Sequence, residues 1–307
     1  MEQTPRDQQF FEIIFDEKSI HHFILYSEKQ KRKHFDSRHP LHRTISDYNI
    51  VQKIGSGSFG SAYIANDLKV NMPNICVVKQ MKYTSVQEIL LFNTEINTLR
   101  KLRHPYIVSY YNMFVENNFM YIVMEYCNSQ DLYTWITDNY NSGKIVWPLN
   151  IALVKEWMIA LFSAMAFTHQ QDIIHRDIKP ANIFLSCDNH GKTIPKIGDF
   201  GLSYHLEKKS CASQIGGTPL YWAPEVIAGE NPTKASDVYA MGCVLFELCT
   251  AKAANELVLG NTRFNVMTEI AKHYDKSVCF CILKMTSLDP KKRLSFEELS
   301  VAVTKVY

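Results

Sequence analysis

An α+β fold, β-rich first and helical afterwards, is predicted from three observations. Short apolar and alternating runs bounded by turn residues crowd the stretch from Tyr48 to Met124. Beyond it, apolar residues recur at helical spacing, most clearly over 148–168 and 236–250. The 307 residues are enough for one large domain or two lobes, with ample core.

Composition narrows the classes. With 46% hydrophobic and 21% charged residues, the chain reads as an ordinary soluble globular protein. A net charge of +2 is too small to make nucleic acid or an acidic membrane the main partner. The start, Met1 to Asp7, lacks the basic and apolar regions of a secretory signal. No window approaches the roughly 20 uncharged apolar residues that span a bilayer. The eight cysteines are scattered and lack Cys-x-x-Cys spacing, so zinc is not expected and reduced thiols are.

Residues 1–47 form an extension without a legible role. Phe10 to Phe15 and Phe23 to Leu25 are apolar, and Lys29 to Arg43 reads as a basic, solvated linker. From Tyr48 an alternating run carries Ile50, Gln52 and Ile54 on one face. Gly55-Ser56-Gly57-Ser58-Phe59-Gly60 follows, and its glycines allow a tight bend that brings backbone N–H groups close to phosphate oxygens. By itself this pattern also fits a hairpin turn or a dinucleotide-binding βαβ unit. The latter needs a helix next, whereas Ser61 to Ala65 is strand-like.

Ile75 to Lys79 reads as a buried strand ending in a lysine. Ser85-Val86-Gln87-Glu88 has capping-box form, and Ile89, Phe92, Ile96 and Leu99 then keep helical spacing. Glu95 falls on that apolar stripe, where an unpaired carboxylate is costly, so Lys79 is its expected partner. Two more strands follow, the second ending at Met124. Glu125-Tyr126-Cys127 reads as a linker, and Asp131-Leu132 opens a short helix. Pro148 to Thr168 is a long helix leading to His175, which is expected to be a structural core histidine.

The densest chemistry is His175-Arg176-Asp177-Ile178-Lys179-Pro180-Ala181-Asn182, followed by a strand, Lys196 to Leu202, that carries Asp199-Phe200-Gly201. Phosphoryl transfer from ATP needs one carboxylate to orient a hydroxyl, and a second carboxylate with an amide to hold Mg²⁺. It also needs a cation near the moving phosphate. Asp177, Asp199, Asn182 and Lys179 are groups of those types. The Ser-, Lys- and Gly-rich stretch that follows reads as a segment shaped by phosphorylation, at Ser213 first and Ser210 second, with Arg176 placed to clamp the phosphate. Ser236-Asp237 is expected to cap a hydrophobic helix running to about Thr250.

Taken together, residues 48–305 resemble a eukaryotic protein kinase domain, with every signature in order. The resemblance implies a bilobal fold: a small β-rich lobe with one main helix over about 48–124, a hinge at 125–128 and a larger helical lobe over about 129–305. It implies that Asp177 receives the substrate hydroxyl proton and Lys179 steadies the transferring phosphate. Asn182 and Asp199 would bind Mg²⁺, and Lys79, paired with Glu95, would hold the ATP phosphates. Gly55, Gly57 and Gly60 would cover those phosphates. Ile54, Ala62, Val77, Met124, Glu125, Cys127 and Asp131 would line the nucleotide pocket, and Thr218 would contact Asp177 and Lys179. Asp237 would brace the catalytic loop, and Arg293 would pair with Glu225.

Lys179-Pro180-Ala181 and Gly217-Thr218-Pro219 resemble the serine/threonine rather than the tyrosine type. The phrases around Ile107, Tyr121, His175 and Glu247 look most like the NIMA-related kinases, a group associated with the cell cycle. Kinases of the translation initiation factor 2 alpha subunit share similar phrases but usually carry a long small-lobe insert. Other departures are Trp222, where a smaller or flexible residue is usual, and a short stretch from Ala251 to Met285. A pseudokinase scaffold is the alternative class, and it would require loss of Lys79, Asp177 or Asp199, all present. The expectation is a monomer that binds ATP and a protein substrate bearing serine or threonine, without nucleic acid or membrane. It is expected in the cytoplasm, with nuclear or cytoskeletal location open.

Overall fold

The computed structural model describes residues 43–57, 60–70, 75–83, 102–143, 147–188, 190–200, 204–205, 217–258, 268 and 270–304. Glu95, Ser210 and Ser213 lie outside them. The described residues fall into two units, the first holding 43–83 and 111–124 and the second 102–110 and 125–304.

The first unit is an antiparallel sheet of β1 (Tyr48–Gly57), β2 (Gly60–Asp67), β3 (Ile75–Lys82), β4 (Tyr110–Glu116) and β5 (Phe119–Glu125), in the order β1-β2-β3-β5-β4. Its two faces follow from the strand period of two. The register pairs Tyr63 with Val78 and Ala65 with Cys76, and Ala62 with Lys79 and Ile64 with Val77. Ala65, Cys76 and Val78 are buried on one face with Tyr48, Phe114 and Tyr121, whose rings stack at 5.6 and 4.9 Å. Arg43 belongs to this core rather than to the solvated linker expected of it. It is buried, ion-paired with Asp67, and its guanidinium lies 4.7 Å from the Tyr48 ring centroid.

Residues 102–110, expected in the small lobe, are tied to the second unit. Val108 N–H donates to the Ile197 carbonyl, and Ile197 N–H donates to that of Tyr106, each at 2.9 Å. The second unit is helical: α1 (Leu132–Ser142), α2 (Ile151–Gln170), α3 (Pro224–Ile227), α4 (Lys234–Thr250), α5 (Asn255–Val258), α6 (Lys276–Met285) and α7 (Phe296–Thr304). Short strands β6 (Ile173–Ile174) with β9 (Tyr204–His205), and β7 (Ile183–Cys187) with β8 (Thr193–Ile197), make two antiparallel two-stranded sheets.

The α2 helix is, by length and composition, apolar enough to cross a membrane, although Lys155 and Glu156 interrupt it, so it is not the uncharged stretch looked for in the sequence. It lies in the core, with Val154, Trp157, Met158, Leu161, Phe162 and Met165 buried. Two expectations are corrected. The cap of α4 is Thr233, whose side chain and that of Ser236 form the capping box; Ser236 and Asp237 sit inside the first turn. Finally, β8 ends at Ile197, two residues short of Asp199, which takes the left-handed conformation at φ +55°.

Candidate active site

The catalytic loop hangs from a buried helix. In α4 every residue from Ser236 to Cys249 is buried. Asp237 projects from its first turn, accepting the backbone N–H of His175 at 2.8 Å and of Arg176 at 3.0 Å. His169, from the end of α2, places Nε2 2.9 Å from the same carboxylate. These contacts hold Arg176 at φ +71°, a conformation that costs about 1–3 kcal/mol and persists only where neighbours enforce it. His175 is fully buried. Its Nδ1 accepts the Asp177 N–H at 3.3 Å, so Nε2 carries the proton and donates to the Gly198 carbonyl at 3.1 Å. One imidazole thereby links the Asp177 loop to the residue before Asp199.

Asp177 is gripped at both carboxylate oxygens. Lys179 Nζ lies 2.7 Å from Oδ2 and donates to Thr218 Oγ1 at 2.8 Å. Thr218 Oγ1 donates to Asp177 Oδ1 at 3.0 Å. Asn182 Nδ2 donates to Asp177 Oδ2 at 3.0 Å and to its backbone carbonyl at 2.8 Å. Charged partners make such bonds stronger than neutral ones, so four predicted side chains form one rigid cluster on this unit.

The donor set suits a hard divalent cation. Asn182 is buried, and its amide nitrogen donates to Asp177, so its carbonyl oxygen is the atom suited to meet a metal. Asp199 can supply a carboxylate.

In the first unit, Gly55 pairs with Ala62 in the β1–β2 register. Gly55, Ala62, Val77 and Lys79 therefore share the sheet face opposite the buried core. A Cβ on Gly55 would meet nothing within 4 Å, which leaves the backbone approachable. Gly60 is glycine for another reason: at φ +140° its Cβ would lie 1.9 Å from the Gln80 carbonyl oxygen. Ile54 is half exposed at β1, and Met124 closes the first unit's part of β5.

Several predicted pocket residues carry structural duties as well. The Glu125 carboxylate accepts Lys196 Nζ at 2.6 Å and the Ser109 N–H at 3.0 Å, and its own backbone N–H donates to the Ser109 carbonyl at 2.8 Å. Asp131 caps α1, accepting the Thr134 N–H at 2.9 Å and hydroxyl at 2.8 Å. Cys127 is buried, and desolvation pushes its thiol up to about 12.

Behind Thr218, two carboxylates secure the turn. Glu225 is bidentate to Arg293, at 2.5 Å (Oε1–Nη1) and 2.7 Å (Oε2–Nη2). Glu247, in the last turn of α4, was missed as a site residue. The Tyr221 hydroxyl lies 3.2 Å from each of its oxygens, and the Ala254 N–H donates at 2.8 Å. Burial raises the Glu247 carboxyl above its ordinary range. The signal available in the sequence was a lone carboxylate inside the apolar run Val244 to Cys249.

The protein kinase domain model matches residues 48–302. The chain belongs to the protein kinase family. This kinase is 35% identical over 211 residues to human serine/threonine-protein kinase Nek5, covering 68% of this chain and 28% of that protein. It is 32% identical over 278 residues to human Nek11, covering 86% and 41%. Against mouse Nek2 the identity is 33% over 271 residues, covering 83% and 59%. The chain thus spans less than two thirds of each of these relatives. Their names agree with the NIMA-related resemblance of the kinase's motifs.

Proposed function

We propose that this kinase transfers the γ-phosphoryl group of ATP to serine and threonine hydroxyls of protein substrates, with Mg²⁺ as the metal. The observation that carries the reading is the Asp177–Lys179–Asn182–Thr218 cluster. Asp177, held at both oxygens, orients the acceptor hydroxyl and takes its proton at a carboxylate oxygen. Lys179, 2.7 Å away, offers its remaining N–H bonds to an anion beside that hydroxyl. Asn182 and Asp199 would hold the metal, which would supply positive charge against the phosphates. Lys79, with Glu95 as its partner, and the backbone at Gly55, Gly57 and Gly60 are the proposed phosphate-holding groups, by resemblance to the family.

Incubation with Mg²⁺, ATP and a generic Ser/Thr substrate, beside an Asp199→Ala control, tests the proposal; a signal no greater than the control ends it. Ser213, then Ser210, are the proposed regulatory phosphosites, and full activity after complete dephosphorylation would remove that part. A monomer in the cytoplasm is the accompanying proposal, supported by the charge balance and thiol usage of the sequence; analytical ultracentrifugation and imaging check it.

A further inference from the structure

Trp222 is a large side chain at the site that the proposed chemistry leaves unused. Its indole Nε1 is buried and makes no hydrogen bond to the described residues. It sits beside Gly217, whose φ of +111° suits glycine. The point a Gly217 Cβ would occupy is 3.1 Å from Trp222 Nε1, 3.4 Å from Asp177 Oδ1 and 2.7 Å from the Arg176 carbonyl oxygen. Glycine therefore leaves open a point that one unsatisfied donor and two acceptors all approach within 3.4 Å.

A buried N–H without an acceptor is costly and is rarely retained. Of the two acceptors, the carboxylate makes the stronger bond. Oδ1 already accepts from Thr218 at 3.0 Å and has a second lone pair to offer. Bonds to catalytic groups are often long before substrate arrives and shorten in the reacting complex.

We infer that Trp222 is a positioning residue for this reaction: in the reacting complex its indole N–H donates to Asp177 Oδ1 across Gly217 and fixes the carboxylate's orientation. The inference rests on the kinase reading of Asp177. It accounts for two features at once, the bulky residue at 222 and the small one at 217.

The test is made on the full chain with Mg²⁺, a non-hydrolysable ATP analogue and a serine peptide. The four tryptophans give four indole N–H resonances in a ¹H–¹⁵N spectrum. That of Trp222 is assigned by its loss in Trp222→Phe, or sequentially in the wild type should the variant not fold. Asp177→Ala should move the Trp222 resonance upfield and leave that of Trp157, held by the Thr193 carbonyl at 3.1 Å, in place. In steady-state assays Trp222→Phe should lower kcat about tenfold while peptide KM stays within about twofold. A Trp222 resonance unmoved in Asp177→Ala places the bond on the Arg176 carbonyl and overturns the inference. So does an unchanged kcat in Trp222→Phe. A chain with no phosphoryl transfer above the Asp199→Ala control loses the kinase reading, yet the spectrum still reports whether the contact forms.

Discussion

Removing one partner of the Glu225–Arg293 pair should cost far more stability than a surface ion pair. The Arg293 side chain is fully buried and that of Glu225 is 7% exposed. Arg293 also donates to the Ser287 and Ala235 carbonyls, at 2.9 and 3.0 Å, and stacks 5.0 Å from the Tyr239 ring centroid. Arg293→Met keeps much of the packing but strands a buried carboxylate and two carbonyls. Breaking such a pair costs about 3–5 kcal/mol. For a chain of this size each kcal/mol lowers Tm by roughly 2–4 °C, so a fall of about 10 °C is expected. The double variant Glu225→Leu/Arg293→Met removes the stranded charge and should recover more than half of that loss, because the pair's own net worth is small. Calorimetry or denaturant titration of the four proteins in a cycle measures both quantities. A single variant costing under about 1 kcal/mol, or a double variant worse than the single, refutes the argument that desolvation sets the magnitude.

Thr218→Val should lower kcat roughly 10–100-fold with an unchanged melting curve, since it removes a hydroxyl bonded to both Asp177 and Lys179; Thr218→Ser should retain most activity. Gly60→Ala should lower Tm, because its Cβ falls on the Gln80 carbonyl. Gly55→Ala should leave Tm nearly unchanged and raise the KM for ATP. The Glu247 carboxyl is raised from its ordinary 4.5, chiefly by burial. Its contribution to stability is therefore fully present below about 4.5 and lost as pH rises through the higher folded value. The Tm of Glu247→Gln minus that of the wild type should accordingly grow between pH 4.5 and 7, and a flat difference in a thermal-shift series rules this out.

Legibility in the sequence depended on distance along the chain and on backbone demands. The catalytic loop was readable because Asp177, Lys179 and Asn182 lie within six residues, where spacing alone brings them together. Thr218 and Arg293 were placed by family resemblance, and the structure sets both against their expected partners. Less was visible where contact crosses many residues. The Glu125–Lys196 pair joins positions 71 apart, and neither residue looks unusual locally. The start of α4 was misplaced by three residues because Ser236 and Asp237 are good capping types, whereas the extended backbone at Thr233 and its bond to Ser236 Oγ place the cap there. Arg43 closed a basic run and was read with it, since nothing in the run announces an aromatic ring and an aspartate waiting on the sheet.

Asp237 ties the chemistry of this protein to the integrity of its innermost helix. Because the backbone of the catalytic loop is suspended from α4, the reactive geometry has little freedom to loosen while that helix stays packed. Heat should then extinguish phosphoryl transfer no later than the temperature where the helical unit melts.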